Sequence, residues 1–405
     1  MADLRDERVL RMTYLNMLFD WDGSDATKVH EPLSHQLGYL FVAFLVLVGA
    51  FVVWRVWNRR RKAKKARPLP YRVVKPPSSL AGDSRDPGKR VVAVVGGTGF
   101  VGSWIVDELV RRSDCYVYVL GRTFRPERTN PEADALIQVD LEDDEGLERA
   151  FNGVDSVIDA AAVLPNAFSN AADVWRVNKQ CLEHLVKAAQ RAGVKNFAFL
   201  CGMHLEGRPR DPVARAFVNA FAWGEEFVSS ANRNNGMRTC VVSPAQIVGL
   251  RQAFYEQMLS GKMTSFPKAK HRASFLPVEY VARAIANAER KLSAGSDKVC
   301  GKILPLVGDV MTMEKFTSLP AWPHEIKDMS LRFLEMLARF NSFCAKWFGR
   351  PPFGRELCPA IVTFFDNAEE DVDCSETYEA LEVGPPPPIN DYLVKMVEEY
   401  QKKIK

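Results

Sequence analysis

Gly96, Gly99 and Gly102 carry the most chemical information in the chain. They punctuate the run Val91-Val92-Ala93-Val94-Val95-Gly96-Gly97-Thr98-Gly99-Phe100-Val101-Gly102. An apolar β-branched stretch that breaks into glycines three apart, with a helical pattern after it, describes a strand, a tight turn and a helix start. Gly96 permits the turn, Gly99 lets backbone approach a pyrophosphate, and Gly102 lets the helix pack against the strand. The first N–H groups of the helix and the positive end of its dipole complete a cradle for phosphate. Gly96, Thr98, Gly99, Phe100, Val101 and Gly102 are therefore the candidate binding loop for a dinucleotide.

Three further positions bear on that ligand. An acid about 20 residues beyond the loop would hold a ribose 2′-hydroxyl and select NAD. The second strand pattern ends instead in Leu120-Gly121-Arg122. Arg122 suits a 2′-phosphate, which favours NADP(H) over NAD(H), although a solvated loop arginine would look the same. Asp140-Leu141 closes the third strand pattern where an adenine contact is expected; Asp140 also reads as an acid at a helix N-terminus. Ala160-Ala161-Ala162 closes the fourth. Small residues there let a dinucleotide lie against backbone, as would ordinary tight packing.

The elements that must position these residues alternate. Strand patterns cover 91–95, 116–120, 135–139, 156–160, 196–200 and 239–242, and helical patterns cover 103–112, 145–151, 174–192 and 214–231. Such alternation predicts a doubly wound parallel α/β sheet with right-handed crossovers. The chain has 405 residues, 47% apolar and 26% charged, enough for a large core. None of its eight cysteines forms a CxxC pair, and no His/Cys spacing suggests zinc, so no metal site is expected.

The net charge of +4 conceals a cluster: Arg55, Arg59, Arg60, Arg61, Lys62, Lys64, Lys65 and Arg67. Without those eight, 46 basic residues face 50 acidic ones, which does not describe a nucleic-acid surface. The cluster follows the run 37–57 (LGYLFVAFLVLVGAFVVWRVW), long enough for one transmembrane helix and bordered by Tyr39, Phe41, Trp54 and Trp57. Residues 1–36 carry seven acids against four bases. The positive-inside rule then places the C-terminal side in the cytosol, with the basic run against anionic headgroups. Residues 58–89, rich in basic residues and then in Pro, Ser and Gly, read as stop-transfer and spacer. Residues 402–405 (KKIK) resemble a cytosolic dilysine retrieval signal of endoplasmic-reticulum membrane proteins; a lysine-rich end also suits a helix C-terminus.

Residues 90–402 resemble an extended short-chain dehydrogenase/reductase, within the 3β-hydroxysteroid dehydrogenase and sterol-4α-carboxylate 3-dehydrogenase family. GGTGFVG (96–102), VIDAAA (157–162), VNKQCLEHLVKAAQRAGVKNFAF (177–199), MRTCVVSPAQIVG (237–249), FLPVEYVARAIANAERKL (275–292) and DVDCSETYEALEV (371–383) carry the resemblance. It implies a Rossmann-type core over about 90–250, with Ser243, Pro244 and Ile247 also at the cofactor, and a smaller substrate lobe over about 251–402. It further implies oxidation or reduction at the 3-position of a sterol or related lipid. A membrane span suits such an apolar substrate, and a homodimer or protein partner is compatible with it.

The family's proton transfer needs a Tyr-x-x-x-Lys pair on the helix after the 196–200 strand, and a serine at that strand's end. Positioned acid–base catalysis of this kind is worth ~10²–10⁴-fold. Here the serine position falls on Cys201 or Gly202, and the pair aligns with Phe217 and Phe221. No tyrosine lies between Tyr118 and Tyr255, so no shift of alignment restores it. His204 with Cys201, or Asp159, are the remaining candidates for acid–base work. Each also reads as an ordinary loop or core residue. Function therefore divides between an NAD(P)-dependent oxidoreductase of sterol or lipid metabolism and a catalytically silent dinucleotide- or lipid-binding scaffold or sensor. Lastly, Phe333, Leu337, Phe340, Cys344 and Trp347 form a helical stripe within 330–350, interspersed with Arg332, Arg339, Lys346 and Arg350. The stripe suits an interfacial membrane helix or the packing face of the lobe.

Overall fold

Alternation along the first glycine-terminated strand divides the core. In β2 (Arg90–Val95), Val92 and Val94 point into one apolar layer and Val91, Ala93 and Val95 into the other. A strand apolar on both faces must be covered on both, which makes it a central parallel strand. In the computed structural model it lies in the middle of an eight-stranded sheet. The model describes residue 69 and residues 71–76, 86, 88–202, 209–233, 236–267, 269, 271–365 and 372–404. All belong to a compact unit running from Pro68 to Lys405.

The strands are β1 (Arg72–Lys75), β2, β3 (Cys115–Gly121), β4 (Ala135–Gln138), β5 (Ser156–Asp159), β6 (Asn196–Leu200), β7 (Arg238–Pro244), β8 (Gln246–Val248), β9 (Ser265–Phe266), β10 (Arg272–Pro277), β11 (Ile303–Leu306), β12 (Asp309–Thr312) and β13 (Lys327–Asp328). The main sheet runs β1-β4-β3-β2-β5-β6-β7-β11, parallel except for β1. Its order reverses beside β2, the switch point where such sheets bind dinucleotides at the carboxyl ends of the strands. Smaller sheets, β12-β10-β8 and β13-β9, belong to the second lobe.

The helices are α1 (Phe100–Arg112), α2 (Asp144–Ala150), α3 (Ala171–Trp175), α4 (Cys181–Arg191), α5 (Pro212–Ser230), α6 (Ala253–Leu259), α7 (Val278–Ser293), α8 (Met313–Thr317), α9 (Leu331–Phe348), α10 (Pro359–Phe365), α11 (Ser375–Leu381) and α12 (Ile389–Ile404). α1 and α7 cover the Val92/Val94 face through Ile105, Leu109, Val281 and Ile285. Leu147 of α2, Leu185 of α4 and Val228 of α5 cover the other. The continuous helix expected over 174–192 is interrupted, since Arg176–Gln180 form a π turn between α3 and α4.

Two boundaries differ from expectation. The stretch expected as spacer contains β1, an antiparallel edge strand on β4. Lys75 Nζ donates to the Pro131 and Ala133 carbonyls, and Arg149 stacks 5.0 Å from the Tyr71 ring centre. These long-range partners are invisible in a Pro/Ser-rich composition. The chain also crosses the expected core–lobe boundary near 250 twice. α7 packs on α1, and β11 pairs with β7, so residues 278–306 return to the dinucleotide-binding layer. The buried Arg90–Glu289 pair, 2.9 Å apart, fastens α7 to the start of β2.

In α9 the buried stripe is Leu334, Ala338, Asn341, Ser342, Cys344 and Ala345, with Leu334 and Ala338 against Val362 of α10. The stripe read from the sequence is largely the opposite face: Phe333, Phe340 and Trp347 are exposed, and only Cys344 of that set is buried. Among the described residues no helix is long and apolar enough to cross a membrane. The expected span at 37–57, residues 1–36 and most of 58–89 lie outside the described residues. Lys402 and Lys403 occupy the last turn of α12.

Candidate dinucleotide site

The glycine loop is shaped by its own backbone. Gly96 has φ +73°, and a Cβ there would meet the Ala161 backbone at 2.9 Å. A Cβ on Gly102 would stand 2.2 Å from the Gly96 carbonyl oxygen, so α1 can begin this close to the turn only with glycine. Gly99 donates its N–H to Gly96 O at 2.8 Å and is the N-cap of α1. No side chain caps this helix and no acid stands in its first turn. The N–H groups of Phe100, Val101 and Gly102 thus begin an uncapped 13-residue helix at the switch point, which fits a pyrophosphate.

Of the surrounding candidates, Ala160 and Ala161 meet the loop directly, and the others lie at further strand ends. Gly121 ends β3 beside Thr98; a Cβ on it would lie 3.1 Å from Thr98 Oγ1. Arg122 follows and is exposed. Asp140 accepts the Glu142 N–H and, at 3.4 Å, the Leu69 N–H, so it shapes the turn into α2 and holds the entering chain. Leu141 instead borders a crevice with Asp159 and Phe221. Ala160 and Ala161 are half-buried and Ala162 is exposed. Ala160 donates to Val95 O, which lays this backbone directly beside the glycine turn. Pro244 is buried at the end of β7 and Ile247 is half-buried in β8. The Ser243 hydroxyl faces away from solvent, 2.6 Å from Glu225 Oε1 and 3.0 Å from the Gly202 carbonyl.

The stretch of α5 where the sequence resemblance places a proton-transfer pair is filled with rings. Asp211 caps α5 by accepting the Val213 and Ala214 N–H groups, with Pro212 at the first helical position. That fixes the register that sets Phe217 and Phe221 one turn apart, their ring centres 4.5 Å from each other. Phe221 stacks on Phe199 of β6 at 6.3 Å, and Phe217 meets Phe364 of α10 at 5.7 Å. None of these rings can donate or hold a proton.

The remaining polar groups are engaged. Cys201 is buried, its Sγ 3.6 Å from the Phe221 carbonyl. Burial, and then the neighbouring Glu225, push its thiol well above the usual range, so it is not a thiolate near neutral pH. Asp159 is 1% exposed and accepts the Ala161 N–H at 2.9 Å. Burial pushes its carboxyl up to about 7, against the lowering effect of that one hydrogen bond. It borders a crevice of about 10 Å³, the space one water needs. His204 lies outside the described residues.

Two residues of this site escaped the sequence reading. Asn178 is buried in the π turn; its Oδ1 accepts from Val163 N and its Nδ2 donates to Val163 O, pinning the loop after β5. π turns recur at functional sites, but no single-sequence pattern announces one. Glu225 is 3% exposed and meets Ser243 from α5, whereas a glutamate in a helix ordinarily reads as surface.

The comparisons with known proteins agree with this geometry. The model of the NAD dependent epimerase/dehydratase family matches residues 92–301. The chain is 28% identical over 193 residues to a 3 beta-hydroxysteroid dehydrogenase/Delta 5-->4-isomerase of Mycobacterium tuberculosis, covering 42% of this chain and 52% of that protein. It is 27% identical over 240 residues to a 3beta-hydroxysteroid-dehydrogenase/decarboxylase of Arabidopsis thaliana, covering 52% and 42%. The chain spans about half the length of the curated relatives it matches. In fold it resembles a UDP-glucose 4-epimerase of Thermus thermophilus solved with NAD, at TM-score 0.52 and 19% identity, covering 76% and 98% of the two chains. With the family model matched over more than half its length, and the glycine loop at the switch point of a parallel sheet, this chain belongs to the NAD dependent epimerase/dehydratase family.

Proposed function

We propose that the protein is a membrane-anchored NADP(H)-binding member of the 3β-hydroxysteroid dehydrogenase-like group in which the family's proton-transfer set has been replaced. The observation that carries this is the Phe199–Phe221–Phe217–Phe364 ring cluster, which stands where a tyrosine and lysine would act. The backbone of 96–102 and the start of α1 would hold the pyrophosphate, and Arg122, after a strand end without an acid, would take a 2′-phosphate. Bound NADP(H) would supply a hydride donor or acceptor. Phe217 and Phe221 themselves exchange no proton, and Asp159, the carboxyl that borders Phe221, is buried with its oxygen on the Ala161 N–H. The protein then acts as a dinucleotide- or lipid-responsive scaffold or sensor, with a sterol-like molecule as its apolar ligand and a second copy or another protein as the reader of the bound state.

The sequence also supports the anchor. The run 37–57, with Arg55 near its end and seven cations after it, supports a single-pass protein with residues 68–405 in the cytosol, and KKIK at 402–405 supports the endoplasmic reticulum. The test uses the full chain in bilayer nanodiscs. NADPH and NADH are titrated, and turnover is then assayed with 3β-hydroxysterols. Binding of NADPH tighter than NADH, with no turnover, is expected. Turnover would restore the oxidoreductase reading, and loss of that turnover in Asp159→Asn would locate its acid. Absence of dinucleotide binding would overturn the assignment of the loop.

A further inference from the structure

α9 divides its circumference into three sectors. At 100° per residue, Phe333, Met336, Phe340, Phe343 and Trp347 fall within an arc of about 80°. Arg332, Arg339 and Lys346 fall within a neighbouring arc of about 40°, and Arg350 follows just past the helix end. The buried residues, Leu334 to Ala345, occupy the far side and pack on α10. The aromatic arc is therefore not the packing face. Its residues are between 37% (Trp347) and 55% (Met336) exposed, and Phe348 (62%) in the last turn and Phe353 (49%) beyond the helix add further exposed rings. A compact protein rarely leaves this much contiguous aromatic surface in water.

We propose that this face docks on an anionic bilayer surface, with the aromatic row at the headgroup–acyl boundary and the arginine and lysine row against lipid phosphates. Three observations select lipid over a protein groove. The cations line one flank of the aromatic row rather than encircling it, as a helix lying in an interface requires. The exposed large residues are chiefly Phe and Trp, which the interface favours, and not the branched aliphatics of an oligomer seam. Beyond the end of α9, Gly349, Arg350, Pro351, Arg355 and Phe168 border an open groove of about 590 Å³, with the Arg355 guanidinium 5.2 Å from the Phe168 ring centre. Arg339 pairs with Glu335 at 2.6 Å, but both are exposed, and such pairs exchange readily for a phosphate.

The docked face is continuous with the dinucleotide site. Ala167 N donates to Arg355 O at 2.7 Å, which ties the loop following Ala160–Ala162 to the segment following α9. A sterol-like ligand held in the bilayer would thus meet the protein beside the strand end that borders the cofactor.

This inference rests on the membrane-bound reading, and the experiment separates the two. Full-length protein with Cys300→Ser, the other cysteines all being buried, receives Phe340→Cys or, as control, Asp297→Cys on an exposed turn. Each is labelled with a polarity-sensitive nitrobenzoxadiazole and reconstituted in vesicles with or without phosphatidylserine. Carbonate extraction reports the 37–57 anchor independently. The label at 340 is expected to brighten about threefold or more over the label at 297 and to be quenched by lipids bearing a doxyl group near the headgroup. Removal of phosphatidylserine, or Arg332→Glu with Lys346→Glu, should reverse most of this. Equal brightness at the two positions in an anchored protein would overturn the proposal. So would a bright label at 340 that lipid-borne quenchers do not reach, the result for a face covered by a second copy or a protein partner. Unchanged circular dichroism and melting temperature across the variants keep misfolding from producing either result.

Discussion

The glycine loop and the end of β6 sit in the same sheet, two strands apart, and present opposite things: backbone groups at one, aromatic rings at the other. The loop keeps each feature that dinucleotide binding demands: a left-handed Gly96, a Gly102 with no room for a methyl, and an uncapped α1. The end of β6 presents packed rings instead. Asp211 starts α5, Glu225 meets Ser243, and between them α5 presents Phe217 and Phe221. Cofactor binding depends on backbone shape, which tolerates few substitutions. Proton transfer depends on two side chains, which can be exchanged for rings without disturbing the fold. The fold alone therefore does not decide whether a member of this family turns over substrate.

The largest effect tests the loop. Gly102→Ala places a methyl 2.2 Å from a backbone oxygen that has nowhere to move. The start of α1 must shift, at a cost of about 1–3 kcal/mol, and dinucleotide binding should fall below detection. Thermal denaturation and NADPH titration read the two consequences together. A variant that bound normally would mean that the loop does not depend on this close approach.

A second pair of substitutions tests the other region, where the effect falls on stability and leaves dinucleotide binding in place. Phe221→Lys puts an ammonium among Phe199, Phe217 and the buried Cys201, across a crevice from the buried Asp159. A destabilisation of about 2–4 kcal/mol is expected in urea unfolding. Phe217→Tyr adds only a hydroxyl and should cost under about 1 kcal/mol. The double variant is expected to bind NADPH without turning over a sterol, because Phe364 still lies on position 217 and neither Cys201 nor Gly202, at the end of β6, offers a hydroxyl. Turnover in the double variant would break the comparison, showing that only two side chains had been lost.

How far these regions were legible in the sequence follows the same division. β2 to β7 were legible because apolar runs bounded by glycines and helical periods are local signals, and the Gly96–Gly102 motif states its geometry in its own spacing. That α5 carries phenylalanines at 217 and 221 was legible directly. Their ring partners were not, because Phe364 lies more than a hundred residues away and reaches α5 through the second lobe. β1 was hidden for a similar reason, since its strand character comes from pairing with β4 and not from its composition. The π turn at 176–180 was read as uninterrupted helix because an inserted residue leaves the apolar period nearly intact while turning Asn178 inward. On α9 the period was visible but its phase was misleading, since small residues such as Ala338 and Ser342 form the packed side and the large rings face out.

Asp159 lies between the two regions, and its titration asks whether the emptied site retains a group that exchanges protons near neutrality. Its folded-state value of about 7 exceeds the unfolded value near 3.8. Between those limits the native state holds more protons than the unfolded chain, so stability falls as pH rises through this window and levels off above the folded value. From pH 5 to pH 8 this one group should remove about 2–3 kcal/mol. Asp159→Asn still presents an oxygen to the Ala161 N–H and should flatten that slope in urea unfolding at the two pH values. An unchanged slope would remove Asp159 as a source of protons and leave the site inert.

The smallest expected effect sharpens the binding half. Arg122 is exposed, so an ion pair with a 2′-phosphate there is partly screened and worth about 1–2 kcal/mol. Arg122→Ala should weaken NADPH about tenfold and leave NADH nearly unchanged, removing the preference without removing binding. The same loss should appear in the wild type as salt is raised, because screening acts on the charge pair and not on the backbone N–H groups that hold the pyrophosphate. If Arg122→Ala instead weakens both dinucleotides equally, the residue supports the loop and does not read the phosphate. Selectivity would then have to come from elsewhere on the β3 edge, and the loop would remain a site for either cofactor.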